Sequence, residues 1–221
     1  MNGQQDNERE GDITMFFKKA VFKRLLKSAY KGVGLTVGRE KKANEDGEIV
    51  RDGYYIAGGY WVIWVDIQYI TKEAKAAIIE LCGELPEPGE AFTAHKEGGN
   101  QYKMGFEEVY DLPEVYKKCK TRFRISKTIL KSSDALQRLL QACDKTNHIV
   151  AINEVFMDLI EPDAVDYENG EREPDGPIAG CAMSKYILWG NEVCYLMACT
   201  RKIDDQETKD YLEYLEAKEI I

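Results

Sequence analysis

Paired cysteines, metal-ligand histidines and long apolar runs are all missing from this chain of 221 residues. Its six cysteines, Cys82, Cys119, Cys143, Cys181, Cys194 and Cys199, include no C-x-x-C pair. They lie in apolar stretches or beside expected helices, which reads as buried free thiols of a reducing compartment and not as a disulfide framework. Only two histidines occur, His95 and His148, and neither has a partner at ligand spacing, so no zinc site is expected. No apolar run approaches the length of a membrane span, and residues 1–12, MNGQQDNEREGD, are polar and acidic, the reverse of a signal peptide. The expectation is a cytoplasmic protein with no membrane contact and no cofactor.

Catalytic signatures are equally scarce. A nucleophile with its base, paired carboxylates in a cleft, a metal set and a phosphate cradle each leave recognisable patterns, and none is visible. Gly32-Val-Gly34-Leu-Thr-Val-Gly38 is glycine-rich, but it follows a helical pattern, whereas a dinucleotide fingerprint follows a strand and opens a helix. Glu154, Asp158 and Glu161 are close in sequence. Alternation, however, sets Val155, Met157 and Leu159 on one face of an expected strand and leaves the acids outward. The acidic stretch 161–176 lacks the calcium-loop spacing and reads as a solvated hairpin loop. The balance leans away from an enzyme, although catalytic residues distant in sequence leave no local trace.

What the chain does have is a concentrated positive stretch. Acids outnumber bases 39 to 30, for a formal charge of −9, yet residues 15–31, MFFKKAVFKRLLKSAYK, contain no Asp or Glu. Projected at 100° per residue, Phe17, Val21, Phe22, Leu25, Leu26 and Ala29 fall on one half of a helix, and Lys19, Lys23, Arg24, Lys27 and Lys31 on the other. One half wants a core and the other wants anions. A pI near 5.0 argues against a protein that coats nucleic acid over its whole surface, but it permits a basic channel on an acidic body. With 44% hydrophobic and 31% charged residues, the chain is ordinary for a globular protein of one large or two small domains.

Beyond the basic helix the pattern predicts a short strand at 33–37 and turn material from Arg39 to Gly47. Strands follow at 48–57 and 60–67 around Gly58-Gly59, rich in Tyr and Trp and packed mainly as sheet core. A Thr71-capped helix runs to Cys82 and stops at Gly83. A strand or two spans 91–102, and Asp111-Leu-Pro-Glu114 marks a boundary between halves. The second half reads as a strand at 121–125, a helix over 127–144, and strands at 148–152, 155–160, 178–189 and 193–200. A charged helix from Asp204 closes the chain.

The order of the second half resembles the repeating unit of the DNA sliding clamps, the ring-shaped processivity factors of replication. The similarity is carried by Thr121-Arg-Phe-Arg-Ile125, then Ile129 to Leu140, Ile149-Val-Ala-Ile152, and Gly176-Pro-Ile178 onward to Tyr195-Leu-Met-Ala-Cys-Thr-Arg201. The first half is similar in its helix at 15–31, its Asp52-Gly53-Tyr54 turn and the acidic linker 111–114. The resemblance implies an α+β protein of two clamp-like units, each a helix plus antiparallel strands. These would span 15–110 and 111–203, between a disordered acidic N-terminus at 1–14 and a C-terminal helix at 204–221. It further implies a homo-oligomer that meets duplex DNA without reading sequence and tethers a polymerase or another DNA enzyme. By residue, the contacts implied are Lys19, Lys23, Arg24, Lys27 and Lys31 on the first helix, and Lys131 and Arg138 on the second. Two other readings stay open: a membrane- or partner-docking module built on the basic helix, and an enzyme with its site near the aromatic hairpin 54–64.

Overall fold

The computed structural model describes residues 15–103, 111–132, 134–160, 174–203 and 206–217. The acidic start at 1–14 and most of the acidic stretch at 161–176 lie outside the described residues. The elements run α1 (Lys19–Lys31), β1 (Leu35–Ala43), β2 (Ile49–Gly58), β3 (Trp61–Asp66), α2 (Lys72–Cys82), β4 (Ala91–His95), β5 (Gly99–Lys103) and α3 (Leu112–Lys117). They continue with β6 (Thr121–Lys131), β7 (Leu136–Ala142), β8 (Ile149–Asn153), α4 (Val155–Leu159), β9 (Asp175–Ala179), β10 (Tyr186–Gly190), β11 (Cys194–Cys199) and α5 (Gln206–Glu216). The fold is α+β.

Among the described residues the eleven strands form one sheet, in the order β5-β4-β1-β2-β3-β11-β10-β9-β6-β7-β8, with every named pairing antiparallel. The strands before and after residue 111 meet where β3 pairs with β11, Trp64 lying opposite Tyr195. Beyond β11 the chain returns to the far end of the sheet: Arg201 bridges Ala151, its N–H donating to the Ala151 carbonyl at 2.7 Å.

Alternation along the strands sends side chains to two faces. On one, Val37, Ile56, Ile63, Leu196 and Ile152 join Phe22, Leu25 and Leu26 of α1, Ala77 and Ile78 of α2, and Phe156 and Leu159 of α4 in the main core. On the other, Leu112 of α3 packs with Tyr55, Val62, Trp64 and Tyr195, and Leu212 of α5 packs with Leu139, Ile149 and Ala151.

Several expectations are met closely. Thr71 caps α2, its Oγ1 accepting the Ala74 N–H at 3.1 Å, and Gly83 ends the helix at φ 82°. That left-handed conformation costs glycine no Cβ clash. The hairpin at Gly58-Gly59 joins β2 to β3 as expected.

Four expectations are corrected. The helix expected over 127–144 is a pair of antiparallel strands: β6 runs to Lys131, the Ser132 N–H donates to the Ala135 carbonyl at 3.0 Å, and β7 follows. Strand β7 is buried on both faces over much of its length, so its leucines match helical spacing as well as strand spacing and periodicity cannot separate the two. The strand expected at 155–160 is instead α4, whose Phe156 and Leu159, three apart, both enter the core. The turn material expected from Arg39 is strand as far as Ala43, held by pairing with β2. Finally, Asp111-Leu-Pro-Glu114 opens a short helix. The Asp111 carboxylate accepts the Glu114 N–H, and Pro113 occupies the first turn, where a missing donor costs nothing.

Candidate nucleic-acid interface

Helix α1 forms because its apolar residues recur every three or four positions against a waiting sheet. Phe22, Leu25, Leu26 and Ala29 are at most 6% exposed, while Lys19, Lys23, Arg24, Lys27 and Lys31 all lie exposed. Its entry is fixed by the Lys18 N–H, which donates to the Leu159 carbonyl at 2.8 Å, and by the bridge between Phe17 and Ile160. Lys31 in the last turn sits favourably at the negative end of the helix dipole.

The neighbouring helices answer part of this charge. Lys19 Nζ lies 3.2 Å from Glu73 Oε1, Lys23 Nζ 3.7 Å from Glu80 Oε2, and Arg24 4.0 Å from Asp158 Oδ2. Every side chain in these pairs is more than half exposed, so water screens them and they bind each other loosely. Glu73 is held below the usual glutamate range, first by its own backbone N–H in the opening turn of α2 and then by Lys19. Among the described residues, Lys27 and Lys31 have no ion-pair partner.

Three helices thus lie side by side on one face of the sheet. α1 brings five cations and no acid, α2 two lysines and two glutamates, and α4 one aspartate. Seven cations face three carboxylates in this layer, on a chain whose total charge is −9.

Lys131 and Arg138, expected on a second basic helix, are placed on β6 and β7. Lys131 is exposed opposite Leu136. Arg138 is half-buried, and its guanidinium forks onto Glu154, with Nε 2.8 Å from Oε2, and also donates to the Ser126 carbonyl at 3.0 Å. Its hydrogen bond to Glu154 raises its pKa still further. The structure therefore groups five cations on α1, whereas Lys131 and Arg138 stand on strands, with Arg138 committed to Glu154 at the start of α4.

No family model, curated protein or solved structure matches the chain.

The aromatic hairpin is core: Tyr54, Tyr55, Trp61 and Trp64 are at most 4% exposed, and of its five rings only Tyr60 reaches solvent substantially. The expectation that all six cysteines are buried holds for Cys119 and Cys194 and is corrected for the others: Cys82 and Cys199 are half-buried, and Cys143 and Cys181 are exposed. Among the described residues no three metal-ligating side chains converge, and no helix is long and apolar enough to cross a membrane.

One charge cluster escaped the sequence reading. On the face opposite α1, buried Glu40 accepts the Trp64 indole N–H at 2.9 Å and lies 3.0 Å from Lys42 Nζ. Lys42 and Arg51, cross-strand partners, both reach Asp111 at the start of α3. Burial alone would lift the Asp111 carboxyl; hydrogen bonds from Lys42, the Glu114 N–H and Arg51 instead hold it below its ordinary range. The cluster pins α3 to the β1–β2 hairpin. Its signal was available in the inward alternation of Glu40, two residues beyond Gly38 on the face that also carries Trp64.

Proposed function

We propose that the chain is a non-enzymatic, clamp-like protein that holds the backbone of duplex DNA against the helix layer of α1, α2 and α4. The observation that carries this reading is the charge of that layer, seven cations to three carboxylates on an acidic protein. Lys and Arg neutralise phosphates without reading base edges, which gives salt-sensitive, sequence-independent attraction. Glu73, Glu80 and Asp158 are loose counter-charges that phosphates displace from Lys19, Lys23 and Arg24. Lys131 and Arg138 stay peripheral in this scheme, since the donors of Arg138 are taken by Glu154 and Ser126.

Helix α1 backed by antiparallel strands suits the first clamp-like unit, whereas the second keeps only its strands, because the helix it called for over 127–144 is the β6–β7 hairpin. A single chain of this size does not encircle a duplex. The reading therefore includes an assembly of copies, with a polymerase or another DNA enzyme as the tethered partner. Docking of α1 on a membrane fits less well, because the apolar half of the helix is spent in the protein core and only its charges remain for contact.

The test is charge reversal. The triple variant Lys19→Glu, Lys23→Glu, Lys27→Glu changes exposed side chains only, so it should melt as a folded protein while losing association with a duplex of arbitrary sequence in electrophoretic mobility and anisotropy assays. Unchanged association in the folded triple variant would defeat the proposal.

A further inference from the structure

The sheet face that carries the helix layer is not fully covered. Strand β7 alternates across the sheet, with Leu139 packed under α5 on one side and Leu140 in the main core on the other. Leu136 and Arg138 share the side of Leu140, and pairing sets Ile125 opposite Leu140, Ile129 opposite Arg138 and Lys131 opposite Leu136. Helix α4 borders this surface where Glu154 takes the Arg138 guanidinium. Ile125, Ile129 and Leu136 remain 43% to 50% exposed on it. Lys131 stands among them, and alternation back along β6 puts exposed Lys127 on the same side. Among the described residues neither lysine has an ion-pair partner. The surface is apolar with a positive rim.

The other side of the same strands carries its complement. Helix α5 docks through Leu212, and Glu207, Asp210, Tyr211 and Tyr214 recur at three- and four-residue spacing along its outer side, all exposed. Asp210 takes a neutral donor, the Gln206 amide, at 2.7 Å; among the described residues neither Asp210 nor Glu207 has an ion-pair partner. This stripe is apolar with a negative rim. From Glu207 to Tyr214 it runs about 10 Å, against about 13 Å from Leu136 to the Ile125 position opposite Leu140.

We propose that these two surfaces bind each other between copies of the chain, the α5 stripe of one copy lying on the β6–β7 surface of the next. Tyr211 and Tyr214 cover Ile125, Ile129 and Leu136, and the carboxylates of Glu207 and Asp210 meet Lys127 and Lys131. Pairing of like surfaces about a twofold axis would instead set lysines against lysines or carboxylates against carboxylates, which is repulsive. Because the paired surfaces differ, each bound copy keeps a free one, and association continues past the dimer until a ring closes or a fibre grows. The inference names an interface for the assembly of copies in the preceding reading; it rests on that assembly and not on contact of α1 with DNA.

Sedimentation velocity of the full chain without DNA is the test. The parent should pass from monomer to dimer and larger species as concentration rises. Lys127→Glu with Lys131→Glu spoils one surface, and Glu207→Lys with Asp210→Lys spoils the other. All four side chains are exposed, so both variants should melt with the parent, and each alone should remain monomeric. The two pairs of changes move the net charge in opposite directions, so general repulsion does not account for loss in both. Mixed at equal concentration, the variants retain one intact pair of surfaces and should form a dimer and nothing larger. A parent that stays monomeric up to about 1 mM, either folded variant associating as the parent does, or a mixture without the dimer would each overturn the proposal. The α1 triple variant leaves both surfaces untouched and should assemble as the parent does, so failure here and failure of DNA contact are separate results.

Discussion

Replacing Glu40 separates two roles that one buried carboxylate plays. The residue is 6% exposed, accepts the Trp64 indole N–H and faces Lys42 and Arg51. In Glu40→Gln the amide oxygen still accepts from Trp64, and both cations keep Asp111, so only the charge is lost; a cost of about 1–2 kcal/mol follows. Glu40→Ala removes the acceptor as well and leaves the indole N–H buried and unpaired, which adds about 1–3 kcal/mol. For a chain of this size each kcal/mol lowers the melting temperature by about 2–4 °C, so the alanine variant should melt about 10 °C below the parent. Urea unfolding is the assay, with the midpoint falling and the slope unchanged. Trp64→Phe in the Glu40→Ala background removes the orphaned donor, so the double variant should be less stable than Trp64→Phe alone only by the charge contribution of about 1–2 kcal/mol, without the further cost of the unpaired indole. If Glu40→Ala were no less stable than Glu40→Gln, the indole hydrogen bond would contribute nothing and the reasoning would fail.

Thiol reactivity should sort the cysteines by environment. Cys143 and Cys181 are exposed and should be alkylated first at pH 8, whereas burial pushes Cys82 up to about 11 and raises Cys194 well above the ordinary thiol range, so these two should be slow in mass-spectrometric time courses. Acid should unfold the protein through two carboxyls held below their ordinary value near 3.8, despite burial that would raise both: Asp111, bonded by Lys42 and Arg51, and Asp175, bonded by Arg122 and Tyr116. A lowered folded pKa gives stability that is present above the unfolded value and is lost as pH falls through the folded one. Asp111→Asn and Asp175→Asn should therefore flatten the fall in stability below about pH 4, and an unchanged acid limb in both would refute the assignment.

Much of the first half of the fold was legible because its signals are local. The three-to-four spacing of Phe22, Leu25, Leu26 and Ala29 specifies α1, Thr71 and Gly83 bound α2, and Gly58-Gly59 marks a hairpin between β-rich runs. The second half misled where burial is two-sided. Leu136, Leu139 and Leu140 are compatible with a helix or with a central strand, and the choice is made by β6 and β8 pairing on either side, which no local window contains. That misreading moved Lys131 and Arg138 onto a helix and hid the fork of Arg138 onto Glu154, sixteen residues away. The α1 cations were found because the absence of acids is itself a sequence pattern. The Glu40 cluster depends on residues brought together from distant segments, such as Asp111 with Lys42.

The salt dependence of duplex binding tests the central claim most directly. Titration of a labelled duplex of arbitrary sequence across a series of KCl concentrations gives the slope of log K against log salt. If all five α1 cations meet phosphates, that slope is about −4.5, and reversal of Lys19, Lys23 and Lys27 should take it to about −2 or shallower with a large loss of affinity. A slope near zero, or the same slope and affinity in the folded triple variant, would contradict the assignment of α1 as the DNA-facing helix.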